Sequence, residues 1–152
     1  HNGMTYMRTS RPKTPVIYTA SEEFTIGGSK VLRESAADVA TVVGAGVTVF
    51  EALAAHDDLR EEGVNVRVID AYSVQPIDES TLVSAALATG GHLITVEDHY
   101  APGGLGDAVA SYGVTVERLA VREVPRSGSS AELLDRFGIS SHQIATAVRD
   151  RN

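Results

Sequence analysis

Two arginines three positions apart, Arg8 and Arg11, are the polar pair in this sequence best suited to an anion. A guanidinium is planar, and its fork of donors matches two oxygens of a phosphate at once. Arg11 stands where a short extended run, Thr5 to Thr9, is closed by Ser10-Arg11-Pro12, a place from which the fork can face a cleft. A salt bridge inside the protein needs the same chemistry, so the residues alone leave both uses open. A second group, Glu97-Asp98-His99, follows an apolar run and sits where α/β proteins carry ligands and catalysts, at the C-terminal end of a strand. Neighbours on an extended chain point to opposite sides, so these three do not converge unaided. The remaining histidines, His1, His56, His92 and His142, lie singly and without metal-ligand spacing.

Two glycine loops offer backbone rather than side-chain chemistry. Gly44-x-Gly46 has the first two glycines of a dinucleotide fingerprint, but the third position is Val49, so close helix–sheet packing over a pyrophosphate is not supported. Gly103-Gly104-x-Gly106 precedes a helix and lacks the Lys-Ser/Thr ending of a P-loop. Both are expected to serve as turns.

The elements that must position these residues alternate between β-branched runs and amphipathic helices, the signature of an α/β fold with a mostly parallel sheet. Strands are expected near 39–43, 64–71, 92–97 and 115–121, with a possible edge strand at 30–34. Helices are expected at about 49–62, after Asp78, over 107–112, and after Ser129 and Ser140. Three Ser/Thr-x-x-Glu/Gln patterns, Thr48/Glu51, Ser129/Glu132 and Ser140/Gln143, read as capping boxes. In the helix after Asp78 the apolar pairs are Leu82/Ala86 and Val83/Leu87. Residues 13–29 are turn-rich and read as a linker.

At 152 residues the chain is long enough for one compact domain. A net charge of −7 argues against nucleic acid or an anionic membrane as partner, since both require surplus Lys and Arg. The absence of cysteine removes disulfides, zinc–thiolate sites and thiol nucleophiles, and fits a cytoplasmic protein. No apolar run approaches the length of a membrane-spanning helix. The opening His1-Asn2-Gly3-Met4 lacks the regions of a signal peptide. Tyr6-Met7-Arg8 reads as the middle of a strand whose partners lie earlier, as in part of a longer protein.

Taken together, several segments resemble transketolase over nearly the whole chain. Met7-Arg-Thr-Ser-Arg-Pro12 is similar to the end of that family's middle, pyrimidine-binding domain. Val42-Val-Gly-Ala-Gly-Val-Thr48 with Glu51-Ala-Leu53 is similar to the opening of its C-terminal domain. Asp70-x-x-Ser73-Val-x-Pro76-Ile-Asp78, Val96-Glu-Asp-His-Tyr100 with Gly103-Gly-x-Gly106, and Val124-Pro-Arg-Ser-Gly128 leading to Glu132-Leu-Leu134 and Phe137-Gly138-Ile139 complete the pattern.

The resemblance implies a three-layer α/β/α fold of the transketolase C-terminal type over 30–152, preceded by the end of the pyrimidine-binding domain and a linker over 1–29. It implies an enzyme that moves a two-carbon ketol unit between sugar phosphates with thiamine diphosphate and Mg or Ca, as a homodimer. In that family the diphosphate and metal are held by a Gly-Asp-Gly…Asn motif of the first domain. Here Gly106-Asp107 is followed by Ala108, and the glutamate that activates the cofactor would lie upstream. The chain alone is therefore expected to bind no cofactor or metal and to hold no catalytic residue. One role carries over: the arginine of the family's Ser-Arg segment, which contacts the sugar phosphate, matches Arg11. Oligomerisation is expected to involve the 97–106 loop or the helix after it. The same domain type closes deoxyxylulose-phosphate synthases and the β subunits of 2-oxo acid dehydrogenase E1, where it binds a partner acyltransferase. A stand-alone subunit of a split transketolase is a further alternative. Thr9-Ser-Arg-Pro12 and Pro125-Arg-Ser-Gly128 favour transketolase.

Overall fold

The β-branched runs assemble into one five-stranded sheet. The computed structural model describes residues 2–11 and 13–150. Its strands are β1 (Lys30–Arg33), β2 (Asp38–Gly44), β3 (Asn65–Asp70), β4 (Leu93–Tyr100) and β5 (Val116–Val121). Its helices are α1 (Val47–Glu61), α2 (Glu79–Ala88), α3 (Leu105–Ala110), α4 (Ser130–Arg136) and α5 (Ser141–Arg149). The order across the sheet is β1-β3-β2-β4-β5. Strands β2 to β5 are parallel, and β1 closes one edge antiparallel to β3. Val42, at the centre, lies level with Val68 on β3 and Ile94 on β4.

Alternation along the strands divides the core in two. Ala40, Val42, Val66, Val68, Ile94 and Val96 pack against Ala52, Ala55 and Leu59 of α1 and Ile144 and Val148 of α5. Val43, Ile69 and Leu93 pack against Leu82 and Ala85 of α2 and Leu105 and Val109 of α3. Helices thus cover both faces, as the parallel strands require, because each parallel pair needs a crossover. This is the expected three-layer α/β/α arrangement. Among the described residues no helix is long and apolar enough to cross a membrane.

Some local expectations are corrected. The Thr48/Glu51 pair is not a capping box. Helix α1 begins at Val47 with Gly46 as its N-cap and no side-chain cap. Thr48 is therefore already inside the helix, and its hydroxyl donates to the Val96 carbonyl at 2.7 Å. Glu51 instead accepts the Ser141 amide at 2.8 Å, capping α5 from across the interface. The Ser129/Glu132 box is complete, whereas Ser140 caps α5 by its hydroxyl accepting the Gln143 amide at 3.4 Å. Asp78 caps α2, as expected, and also accepts from Ser29. On α2, Leu82 and Ala86 are buried but Leu87 is 77% exposed, because the second apolar pair lies off the buried face. Residues 5–9 join no strand of the sheet, and residues 13–29 form turns without helix or strand. Strand β4 runs on to Tyr100, so Glu97, Asp98 and His99 are strand residues rather than loop.

Candidate functional site

In a parallel sheet, ligands meet the C-terminal strand ends where successive crossovers leave toward opposite faces. Here that point lies between β2 and β4. After β2 the chain turns into α1 on one face; after β4 it turns into α3 on the other. Gly44-Ala45-Gly46 forms one side. Gly46 needs its glycine, with φ of 65°, and a Cβ on Gly44 would come within 2.9 Å of the Val49 amide. Glu97 and Asp98 form the other side.

Glu97 and Asp98 turn away from one another, as their positions on a strand dictate. Glu97 faces α3, is 4% exposed, and accepts the Leu105 amide at 2.7 Å and the Gly106 amide at 3.2 Å. Burial pushes its carboxyl above the ordinary range, against the opposing pull of those amides, His99 and Arg118. Asp98 faces outward to the N-terminal segment and receives Arg8 in a two-pronged pair, Nη1 to Oδ1 and Nη2 to Oδ2, both at 2.7 Å. His99 is exposed and donates from Nδ1 to the Tyr100 carbonyl. The trio therefore does not converge. His56 pairs with Asp57, and His1 lies outside the described residues. Among the described residues no group of three His, Cys, Asp or Glu is placed to hold a metal.

The switch point is crossed by the chain's own N-terminal arm. From the Arg8–Asp98 pair the arm passes Ser10, whose hydroxyl lies 3.7 Å from the position of a Cβ on Gly46. Beyond Pro12, which lies outside the described residues, Thr14 to Tyr18 roof a cavity of about 270 Å³ floored by Gly46, Val49, Phe50 and Asp70. On its wall Tyr18 donates to Asp70 Oδ2 at 2.6 Å. Asp70 is 7% exposed, and burial raises its carboxyl above the usual range although the tyrosine hydroxyl opposes the shift. Phe24 packs edge-on between Tyr18 and Tyr72, carrying the arm toward β1.

Arg11, between these anchors, is exposed, and among the described residues its side chain has neither a hydrogen bond nor an ion pair. The two arginines are thus separated: Arg8 is spent on Asp98, and Arg11 has no partner among the described residues. Sequence spacing missed the pairings of Asp98 with Arg8 and of Asp70 with Tyr18, across 90 and 52 positions.

The glycine loops spend backbone amides on the protein's own side chains. At the second, Glu97 takes the Leu105 and Gly106 amides and Asp107 takes the Gly103 amide at 2.6 Å. At the first, the Ala45 amide donates to the Thr48 hydroxyl. At the second loop these seated carboxylates would repel a further anion.

The family model for the C-terminal domain of transketolase matches residues 27–144. The chain belongs to the transketolase C-terminal domain family. It is 54% identical to mouse transketolase-like protein 2 and 49% identical to human transketolase, each over 97% of this chain. It spans about a quarter of those relatives, 24% of each. Among solved structures, a split gene transketolase described as an inactive β4 tetramer superposes with a TM-score of 0.81 at 33% identity, covering 90% of this chain and 46% of the other. Membership of this family agrees with the α/β/α architecture and with the resemblance carried by the motifs.

Proposed function

We propose that the chain is the C-terminal region of a transketolase, which transfers a two-carbon ketol group between sugar phosphates with thiamine diphosphate. In this reading residues 1–29 end the pyrimidine-binding domain and link it to the domain at 30–152. The start of the sheet at Lys30, after residues with no helix or strand, supports that division. Cofactor and its Mg or Ca belong to the rest of the enzyme, whether on the same chain or another. The carboxylates seated at the 103–106 loop support this, and calorimetric titration of the 152-residue chain with thiamine diphosphate and magnesium is expected to give no saturable heat. Partners are the remaining domains and a second copy, and the location is cytoplasmic, tested by cell fractionation. Tyr100, 44% exposed at the end of β4, is the surface residue of the 97–106 stretch best placed to meet them. Leu105, 3% exposed, acts in the core.

The observation that carries the functional part is Arg11: an exposed guanidinium without a partner among the described residues, on an arm anchored on both sides. Its role is to hold the phosphate of the sugar substrate through paired charge-assisted hydrogen bonds. The phosphate is remote from the reacting carbons, so this contact acts nearly equally on ground and transition states. In the assembled enzyme Arg11→Ala is expected to raise KM more than it lowers kcat, with about 2–4 kcal/mol lost from kcat/KM. Arg11→Lys recovers only part, since it keeps the charge without the fork. A donor without phosphate is the control. Equal impairment with that donor refutes the assignment.

A further inference from the structure

We infer that Asp98 and Arg8 are positioning residues: their ion pair sets where Arg11 stands, and through it the C-terminal domain acts on substrate phosphate. The inference rests on the reading of Arg11 as the phosphate contact.

Three features carry it. The first is geometry. Both prongs of the Arg8 guanidinium meet both oxygens of Asp98 at 2.7 Å, and Nη2 also reaches the Asp98 carbonyl at 3.4 Å. A two-pronged pair fixes direction as well as distance, which a single contact does not. The second is the rigidity of the acidic side. Asp98 lies on β4 between two points of pairing with β5, Glu97 with Ala120 and Tyr100 with Val121. The register shifts between them, and such a bulge re-aims the side chain it carries. The preceding Glu97 is buried and tied to α3, so Asp98 cannot drift with the surface. The third is leverage. Residues 2–11 are exposed and belong to no helix or strand, so the arm has little packing of its own. Arg8 and Arg11 are three residues apart, a span of at most about 10 Å. Clasping the first confines the second, while Ser10 beside Gly46 keeps the intervening chain on the sheet end.

An exposed ion pair contributes little to global stability. Its effect here is on the fraction of molecules in which Arg11 stands ready. Apparent affinity falls in proportion to that fraction, so opening the clasp is a KM effect.

The test is kinetic, in the assembled enzyme that carries this chain. Arg8→Ala and Asp98→Ala are each expected to raise KM for a phosphorylated donor roughly three- to tenfold, with kcat changed less and a non-phosphorylated donor unaffected. The double variant should be no worse than either single one, and the exchange Arg8→Asp with Asp98→Arg should recover part of the loss. A phosphate-selective loss in Arg11→Ala alongside unchanged KM in both clasp variants overturns the positioning role and leaves the phosphate reading intact. Clasp variants that impair both donors equally also overturn it. An Arg11→Ala variant indifferent to phosphate overturns the underlying reading, and this role with it.

Discussion

Replacing Glu97 by alanine removes the acceptor that holds the start of α3. Its two oxygens take the Leu105 and Gly106 amides at 2.7 and 3.2 Å inside a site where the residue is 4% exposed. Hydrogen bonds to a charged group contribute about 1.5–3 kcal/mol each, so the gross loss is about 3–6 kcal/mol. Two effects offset part of it. Burial makes the carboxylate costly to keep charged, which is why its pKa lies above the ordinary value. The space left is also polar enough to admit water to the amides. A net loss of about 2–4 kcal/mol is expected, which is large against the stability of a domain. In urea, with a slope of about 2 kcal/mol per molar, the unfolding midpoint of the chain should fall by about 1–2 M. Gly104→Ala tests the same contact from the other side. Its Cβ would collide with Glu97 Oε2, while its φ of −93° suits any residue, so the loss is steric. In the Glu97→Ala background that loss should shrink to what the 3.0 Å approach to the Tyr100 carbonyl oxygen leaves. A pH series adds a sign. With its folded pKa raised, Glu97 keeps its proton to higher pH in the folded chain than in the unfolded one. Stability from this group therefore declines as pH rises from about 4.5 through the folded value. The advantage of wild type over Glu97→Gln should narrow over that range. A midpoint shift below about 0.5 M for Glu97→Ala refutes the reasoning, because two buried amides would then have lost their acceptor without consequence.

Tyr18→Phe removes the hydrogen bond from the tyrosine hydroxyl to the buried Asp70 carboxyl and should cost about 1–3 kcal/mol, measured by denaturant unfolding. Burial and Asp70 raise the Tyr18 pKa above 10.0, so the unfolded chain ionises first as pH climbs past 10. The wild-type advantage over Tyr18→Phe should shrink there, and an advantage that grows instead counts against the pairing. Thr48→Val and Glu51→Gln should each destabilise by about 1 kcal/mol through separate contacts, to β4 and α5. A double-mutant cycle should show coupling below about 0.5 kcal/mol; strong coupling would restore the local capping box.

The fold was largely legible because its determinants are local. Alternating Val-rich runs can only be strands, helices between them can only be crossovers, and Gly63 and Gly138 stop helices by accepting φ of 81° and 71°. The Ser129/Glu132 box is satisfied within one turn, so four residues decide it. Thr48/Glu51 has the same spelling and a different outcome. Its partners, Val96 and Ser141, are brought close only when β4 and α5 pack on α1.

The site divides along the same line. Sequence by itself determined that Arg8 and Arg11 carry anion-binding forks, that Glu97, Asp98 and His99 point to different sides, and that the glycine loops lack a nucleotide fingerprint. These follow from residue type and strand alternation, which act over a few positions. It did not determine what Arg8 would meet, although the family resemblance had singled out Arg11. Asp98 lies 90 positions from Arg8, and Asp70 lies 52 from Tyr18, distances over which spacing carries no signal. Only the parallel crossovers, which gather the ends of β2, β3 and β4 at one edge beneath the N-terminal arm, decided that Arg8 would be bound and Arg11 left available.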